Sequence, residues 1–121
     1  MQAETESIEA RIEREREFHN KEFTDSERSK INNVYLVTRS STKWYENFLD
    51  ARAEGKRMLE YGCGPNSYAF WLAQRGAQVV GIDISDAAIE MMRERSNHRQ
   101  FPERVSFQRM NAEVLEFADN S

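Results

Sequence analysis

Glu60 closes an apolar run and stands directly before Tyr61-Gly62-Cys63-Gly64-Pro65-Asn66. Asp83 follows 21 residues after Gly62, at the end of a second apolar run, and Asn111-Ala112 follows a third. Gly62 and Gly64 have no Cβ, so the chain can turn sharply there and a ligand can approach the backbone closely. Amides of that loop and of the helix start beyond it can then donate hydrogen bonds to the ligand. An acid about 20 residues beyond such glycines is placed to accept hydrogen bonds from two ribose hydroxyls. Asn111 and the Ala112 amide can meet the edge of an adenine ring, with Ile84 against its face. Each residue also has a plainer reading: Glu60 can pair with Lys56 or Arg57, Asp83 can cap a turn, and Asn111 can be a turn residue.

These positions need elements that bring them to one edge. From Lys56 onward the pattern alternates strand and helix, the signature of a parallel sheet with crossover helices. The spacing predicts strands at Arg57–Tyr61, Gln78–Ile82 and Val105–Arg109, with helices at Ser67–Arg75 and Asp86–Ser96 between them. Gly76 stops the first helix, and Ser85 or Asp86 caps the second. Short right-handed crossovers order the strands 3-2-1, half of a doubly wound sheet. The predicted class is α/β, an incomplete Rossmann-like three-layer sandwich, with its ligand at the carboxyl ends of the strands.

Residues 1–55 read as a separate helical segment. Met1 to Lys30 holds nine acidic and six basic residues and few large apolar ones, as in an exposed helix with frayed ends and no marked binding face. Thr24-Asp25-Ser26-Glu27 has the capping-box pattern. Beyond it Ile31, Val34, Tyr35, Thr38, Thr42, Tyr45, Phe48 and Leu49 share one helical face, so this helix is expected to pack against something. Tyr35, Trp44 and Tyr45 are expected in a core or interface, and Ser40-Ser41-Thr42 can break the helix in two.

Composition narrows the function. The 121 residues, 39% hydrophobic and 31% charged, suit one small domain. A net charge of −4 argues against a nucleic-acid partner. With no apolar run of about 18 residues and no leader-like N-terminus, neither a membrane span nor export is expected, and the chain reads as cytoplasmic. The single Cys63 cannot form an internal disulfide, and no Cys/His cluster has metal-ligand spacing. His19 and His98 have no evident partner. Cys63, inside a glycine turn, is expected to contribute its amide and small size rather than a nucleophile.

From Lys56 to the end the chain resembles the class I S-adenosylmethionine-dependent methyltransferases. Met58-Leu59-Glu60-Tyr61-Gly62-Cys63-Gly64 is similar to their first motif, Val79-Val80-Gly81-Ile82-Asp83-Ile84-Ser85 to their second, and Phe107 to Phe117 to their third. The resemblance implies S-adenosyl-L-methionine as cofactor and S-adenosyl-L-homocysteine as product. It assigns the methionine portion to Glu60 and the backbone of Gly62, Cys63 and Gly64, the ribose to Asp83, and the adenine to Ile84, Asn111 and Ala112. Residues 1–55 would be a lid over the cofactor, and residues 56–121 the partial cofactor-binding domain. The acceptor, expected to be a small molecule, and the catalytic residues are not identified.

Two positions depart from the family pattern: Asn66 stands where a third glycine is frequent, and Asn111 where an aspartate is. The family's sheet has seven strands, whereas this chain ends at Ala118–Ser121, where a fourth would begin. An unpaired edge on the first strand is then expected, and with it a homodimer formed through that edge or through exchanged N-terminal helices. Two rivals remain. One is a cofactor-binding or self-assembling module without turnover. The other is an NAD-dependent oxidoreductase, which Ser67 in the third glycine's place and the charge of Glu60 disfavour.

Overall fold

A computed structural model of the chain describes residues 6–24, 38–64 and 66–121. In chain order the described elements are α1 (Ile8–Thr24), α2 (Arg39–Asp50), β1 (Arg57–Tyr61), α3 (Ala69–Gln74), β2 (Gln78–Asp83), α4 (Asp86–Ser96), a 3₁₀ turn (Pro102–Arg104) and β3 (Val105–Arg109). The three strands form one parallel sheet in the order β1-β2-β3, which is the expected 3-2-1 order listed from the other edge. This is a partial Rossmann-like α/β fold. β2 runs one residue further than its apolar pattern, through Asp83, because Asp83 still pairs with Arg109 in the ladder. α3 begins at Ala69 rather than Ser67, because the Ser67 hydroxyl and the Tyr68 amide turn aside to Glu60.

Met58, Val79 and Val105 are paired across the three strands, and so are Glu60, Gly81 and Phe107, so these residues point to one face of the sheet. That face carries the core, in which Val79, Val105 and Phe107 pack with Phe70, Leu72 and Ala73 of α3 and with Ile89 and Met92 of α4. The two crossover helices therefore lie on the same side. The other face is thinly covered: Leu59 is 42% and Tyr61 73% exposed. A cavity of about 590 Å³ separates Leu59, Val80 and Ser106 on that face from Leu115, Phe117 and the last residues of the chain. It lies at the amino ends of the strands, away from the glycine loop.

Local signals explain the element ends. α3 stops at Gly76, whose φ of +91° only glycine adopts freely. There Ala77 N–H donates to Leu72 C=O and Gly76 N–H to Ala73 C=O, which satisfies the last carbonyls of the helix. Ser85 caps α4, its hydroxyl accepting from the Ala88 amide. At the sheet's centre Gly81 lets Phe107 cross β2, since a Cβ there would lie 2.7 Å from the Phe107 ring.

The N-terminal helices differ from expectation in two ways. α2 is amphipathic, yet none of its residues is buried: Trp44 is 66% and Tyr45 46% exposed, so neither is a core residue of the described chain. Leu49 reaches the core edge, Tyr45 meets Tyr68 edge to face, and Trp44 stacks on Phe48. Ser40, Ser41 and Thr42 fall in the first turns of α2, where such residues are tolerated, and the earlier part of the expected longer helix lies outside the described residues. α1 is more than a solvated helix, since polar contacts dock it against the start of α4. The capping box at residues 24–27 and the apolar positions Ile31, Val34 and Tyr35 lie outside the described residues.

Candidate functional site

The carboxyl ends of the parallel strands bring the predicted positions together. Glu60, the penultimate residue of β1, has its side chain on the core face and is partly buried. Its carboxylate accepts from the Ser67 hydroxyl and, at 2.8 Å, from the Tyr68 N–H. It therefore organises the loop leading into α3, and its partners are not Lys56 or Arg57. Burial pushes the Glu60 carboxyl above the ordinary carboxylate range, opposed by these two hydrogen bonds. An ammonium group brought alongside would favour the ionised form.

Gly62 and Gly64 have φ of +64° and +38°, the turn their sequence demanded. A Cβ built on Gly62 would meet nothing within 4 Å, so the backbone there borders open space. Between the glycines Cys63 turns inward and is 3% exposed, and its N–H donates to Ile82 C=O at 3.1 Å, which ties the loop to β2. Burial, then the charges of Asp83 and Glu60, push its thiol up to about 12. A buried thiol that resists ionisation is a poor nucleophile. The structure thus gives Cys63 a packing and backbone role.

Asp83 ends β2 opposite this loop. One carboxylate oxygen accepts from Gly64 N–H at 3.2 Å and the other from Ser85 N–H at 2.9 Å. Asp83 does cap its own turn, as the plainer reading held, and it also joins the β1 loop to the β2 loop. A carboxylate has about four acceptor positions, so each oxygen retains capacity for a hydroxyl. Ile84, partly exposed, follows at the same edge. After β3, Met110 N–H donates to Asp83 C=O at 3.0 Å, which draws the third loop to the same place. There Asn111 Oδ1 accepts from Glu113 N–H at 3.0 Å, so Asn111 builds its turn, while its carboxamide N–H₂ remains as a donor. Ala112 is exposed on that turn.

Three further groups belong to this edge and were not assigned to the site from the sequence. Ser67 and Tyr68 fix Glu60, and an acid seven residues before a serine near a helix start was the available signal. Asn20 of α1 is the third: its Oδ1 accepts from the Ser85 hydroxyl and from Ala87 N–H at 3.2 Å. No local pattern marks it. Around it Arg16 pairs with Asp86, which also meets Arg109 at 3.2 Å, and Arg11 reaches Glu113 at 2.8 Å. α1 therefore touches both the β2 loop and the β3 loop. Among the described residues no group of His, Cys, Asp and Glu is arranged to hold a metal ion. No helix among them is long and apolar enough to cross a membrane.

Comparison with known proteins gives this edge a lineage. The family described as "Methyltransferase domain" matches residues 58–121. The chain is 38% identical over 84 residues to methyltransferase GfsG of Streptomyces halstedii, a stretch covering 69% of this chain and 30% of that protein. It is 50% identical over 40 residues to a ubiquinone biosynthesis O-methyltransferase of Alkalilimnicola ehrlichii, covering 33% of this chain and 16% of that one. It is also 36% identical over 63 residues to the S-adenosyl-L-methionine-dependent Diels-Alderase iccD of Talaromyces variabilis, covering 51% and 22% respectively. The chain thus spans under a third of the length of these relatives. With the glycine loop, Asp83 and the third loop all inside the matched stretch, this chain belongs to the methyltransferase domain family.

Proposed function

We propose that this chain is the cofactor-binding part of a methyltransferase acting on a small-molecule acceptor. Membership of the family implies S-adenosyl-L-methionine as cofactor and S-adenosyl-L-homocysteine as product. The observation that carries the reading is the junction of Asp83 with the Gly64 amide at the strand tips, beside the Glu60 carboxylate. The donor set suits that cofactor. Asp83 retains an acceptor position on each oxygen for two ribose hydroxyls, and the partly buried Glu60 suits an ammonium. The open space at Gly62 lets a ligand lie on bare backbone, and Ile84, Asn111 and Ala112 border the adenine end.

When bound, the cofactor supplies a methyl group on a positively charged sulfur. The task left to the protein is alignment, holding an attacking atom about 3–3.5 Å from that carbon and in line with its bond. Cys63 takes no covalent part, because its thiol is buried and un-ionised. Residues 1–55 serve as a lid, a role supported by the contacts of α1 with the loops after β2 and β3.

Calorimetric titration of the chain with S-adenosylmethionine, S-adenosylhomocysteine and NAD tests the reading. Binding of the first two with no heat from NAD is expected. Heat from NAD alone, or from none of the three, would overturn it. The family match and the methyltransferases among the relatives already weigh against a nicotinamide enzyme. Cofactor binding without methyl transfer is the second reading, since the name of the Talaromyces relative joins the same cofactor to a different reaction, and a methyl-transfer assay separates the two. We place the protein in the cytoplasm and propose that it self-associates, through the outer edge of β1, which has no neighbouring strand among the described residues, or by exchange of N-terminal helices. Light scattering showing only monomer at micromolar concentration would remove that proposal.

A further inference from the structure

We infer that Asn20 is a positioning residue for the nucleoside site, holding from α1 the turn that carries Asp83. The inference rests on the reading of Asp83 as the ribose acceptor given above. Asp83 and Ser85 form one unit: Ser85 N–H donates to Asp83 Oδ1 at 2.9 Å, and the Ser85 hydroxyl then caps α4 by accepting from Ala88 N–H at 3.2 Å. Ser85 is fully buried, so its hydroxyl proton needs a partner inside the protein. Asn20 Oδ1 is that partner. The orientation of the Asn20 carboxamide follows from chemistry, because the Ala87 N–H at 3.2 Å can only donate, which makes the facing atom the oxygen. One oxygen, 65 residues away in sequence from Ser85, thus satisfies the first turn of α4 and fixes the residue hydrogen-bonded to Asp83.

The other contacts of α1 do not carry this role. Arg11–Glu113 and Arg16–Asp86 have side chains between a quarter and over half exposed, and such pairs contribute little in water. They bring α1 to the edge. Asn20 makes the contact that loses its partner inside the protein when broken. Without it the Ser85 hydroxyl turns to satisfy itself elsewhere, and the turn that aims Asp83 loosens.

The experiment compares S-adenosylhomocysteine with its 2′-deoxy counterpart by calorimetry on the full chain, Asn20→Leu and Asn20→Asp. The wild type should prefer the ribose form by about tenfold, the scale of a hydrogen bond to a charged acceptor. Asn20→Leu, which keeps the size but not the acceptor, should reduce that preference about three- to fivefold. Asn20→Asp, which keeps the oxygen, should retain it. A general loss of structure would weaken both ligands alike and leave the ratio unchanged. With no ligand present, amide exchange at Ala87 should quicken in Asn20→Leu. An unchanged ratio in Asn20→Leu, an equal fall in Asn20→Asp, or unchanged exchange at Ala87 would overturn the inference. A wild type that binds neither ligand, or both equally, would remove the Asp83 assignment itself, and this shows before any substitution is made.

Discussion

Gly81→Ala places one methyl group where the structure has least room for it. The added Cβ would lie 2.7 and 2.8 Å from two atoms of the Phe107 ring and 3.3 Å from Cys63 Cβ. The first two distances are below any real carbon contact, so the ring must move. It has little freedom to do so, being 3% exposed and packed against Phe70 at a centroid distance of 5.6 Å. Overpacking of this kind costs about 1–3 kcal/mol. Replacing glycine within a strand returns about 0.5–1 kcal/mol of chain entropy. The net is a loss of about 1 kcal/mol at the midpoint of these ranges and at most about 2.5 kcal/mol, which for a domain near this size lowers Tm by roughly 4 °C and at most about 10 °C. Thermal unfolding followed by circular dichroism measures it, and Phe107→Leu in the Gly81→Ala background should recover part of the loss by vacating the ring's space. Because Cys63 is the second neighbour, the glycine loop should shift as well, and S-adenosylhomocysteine should bind less tightly. A Gly81→Ala protein with the wild-type Tm would refute the close passage of β3's side chain over β2 and, with it, the register that pairs Gly81 with Phe107.

Three further outcomes follow from the same edge. Because the folded Glu60 carboxyl titrates above its unfolded value, the folded state holds its proton longer. Its contribution is therefore favourable below the ordinary carboxylate range and is lost as pH rises through the raised value. Melting curves across that window should show a shallower decline for Glu60→Gln than for the wild type, and parallel curves would contradict the burial of this group. Gly62→Ala should cost about 1–2 kcal/mol for the left-handed backbone and weaken cofactor binding further, since its methyl enters the open space beside the loop; unchanged affinity would place the ligand elsewhere. Cys63 in the native chain should react with iodoacetamide roughly a hundredfold more slowly than in the unfolded chain, because the thiolate is the reacting form. Rapid labelling in a mass-spectrometric time course would show that the thiol is not buried.

The parallel sheet, its order and the gathering of Glu60, Gly62 and Asp83 were legible in the chain because their causes are local. Apolar runs of five or six residues, glycines at a turn and a serine before a helix each act within a few positions, and short crossovers leave one strand order. Tertiary structure decided the remainder. The exposure of Trp44 and Tyr45 depends on which elements α2 packs against, which no helical periodicity can report. Glu60 bonds to Ser67 and Tyr68 rather than to the nearer cations because its side chain faces the start of α3, a matter of pleat and register. Asn20 sits among charged residues on a helix of polar character, and its significance arises only when folding lays that helix across a buried serine 65 residues away. A hydrogen bond between distant parts of a chain leaves no periodicity in the sequence, whereas a turn or a strand does.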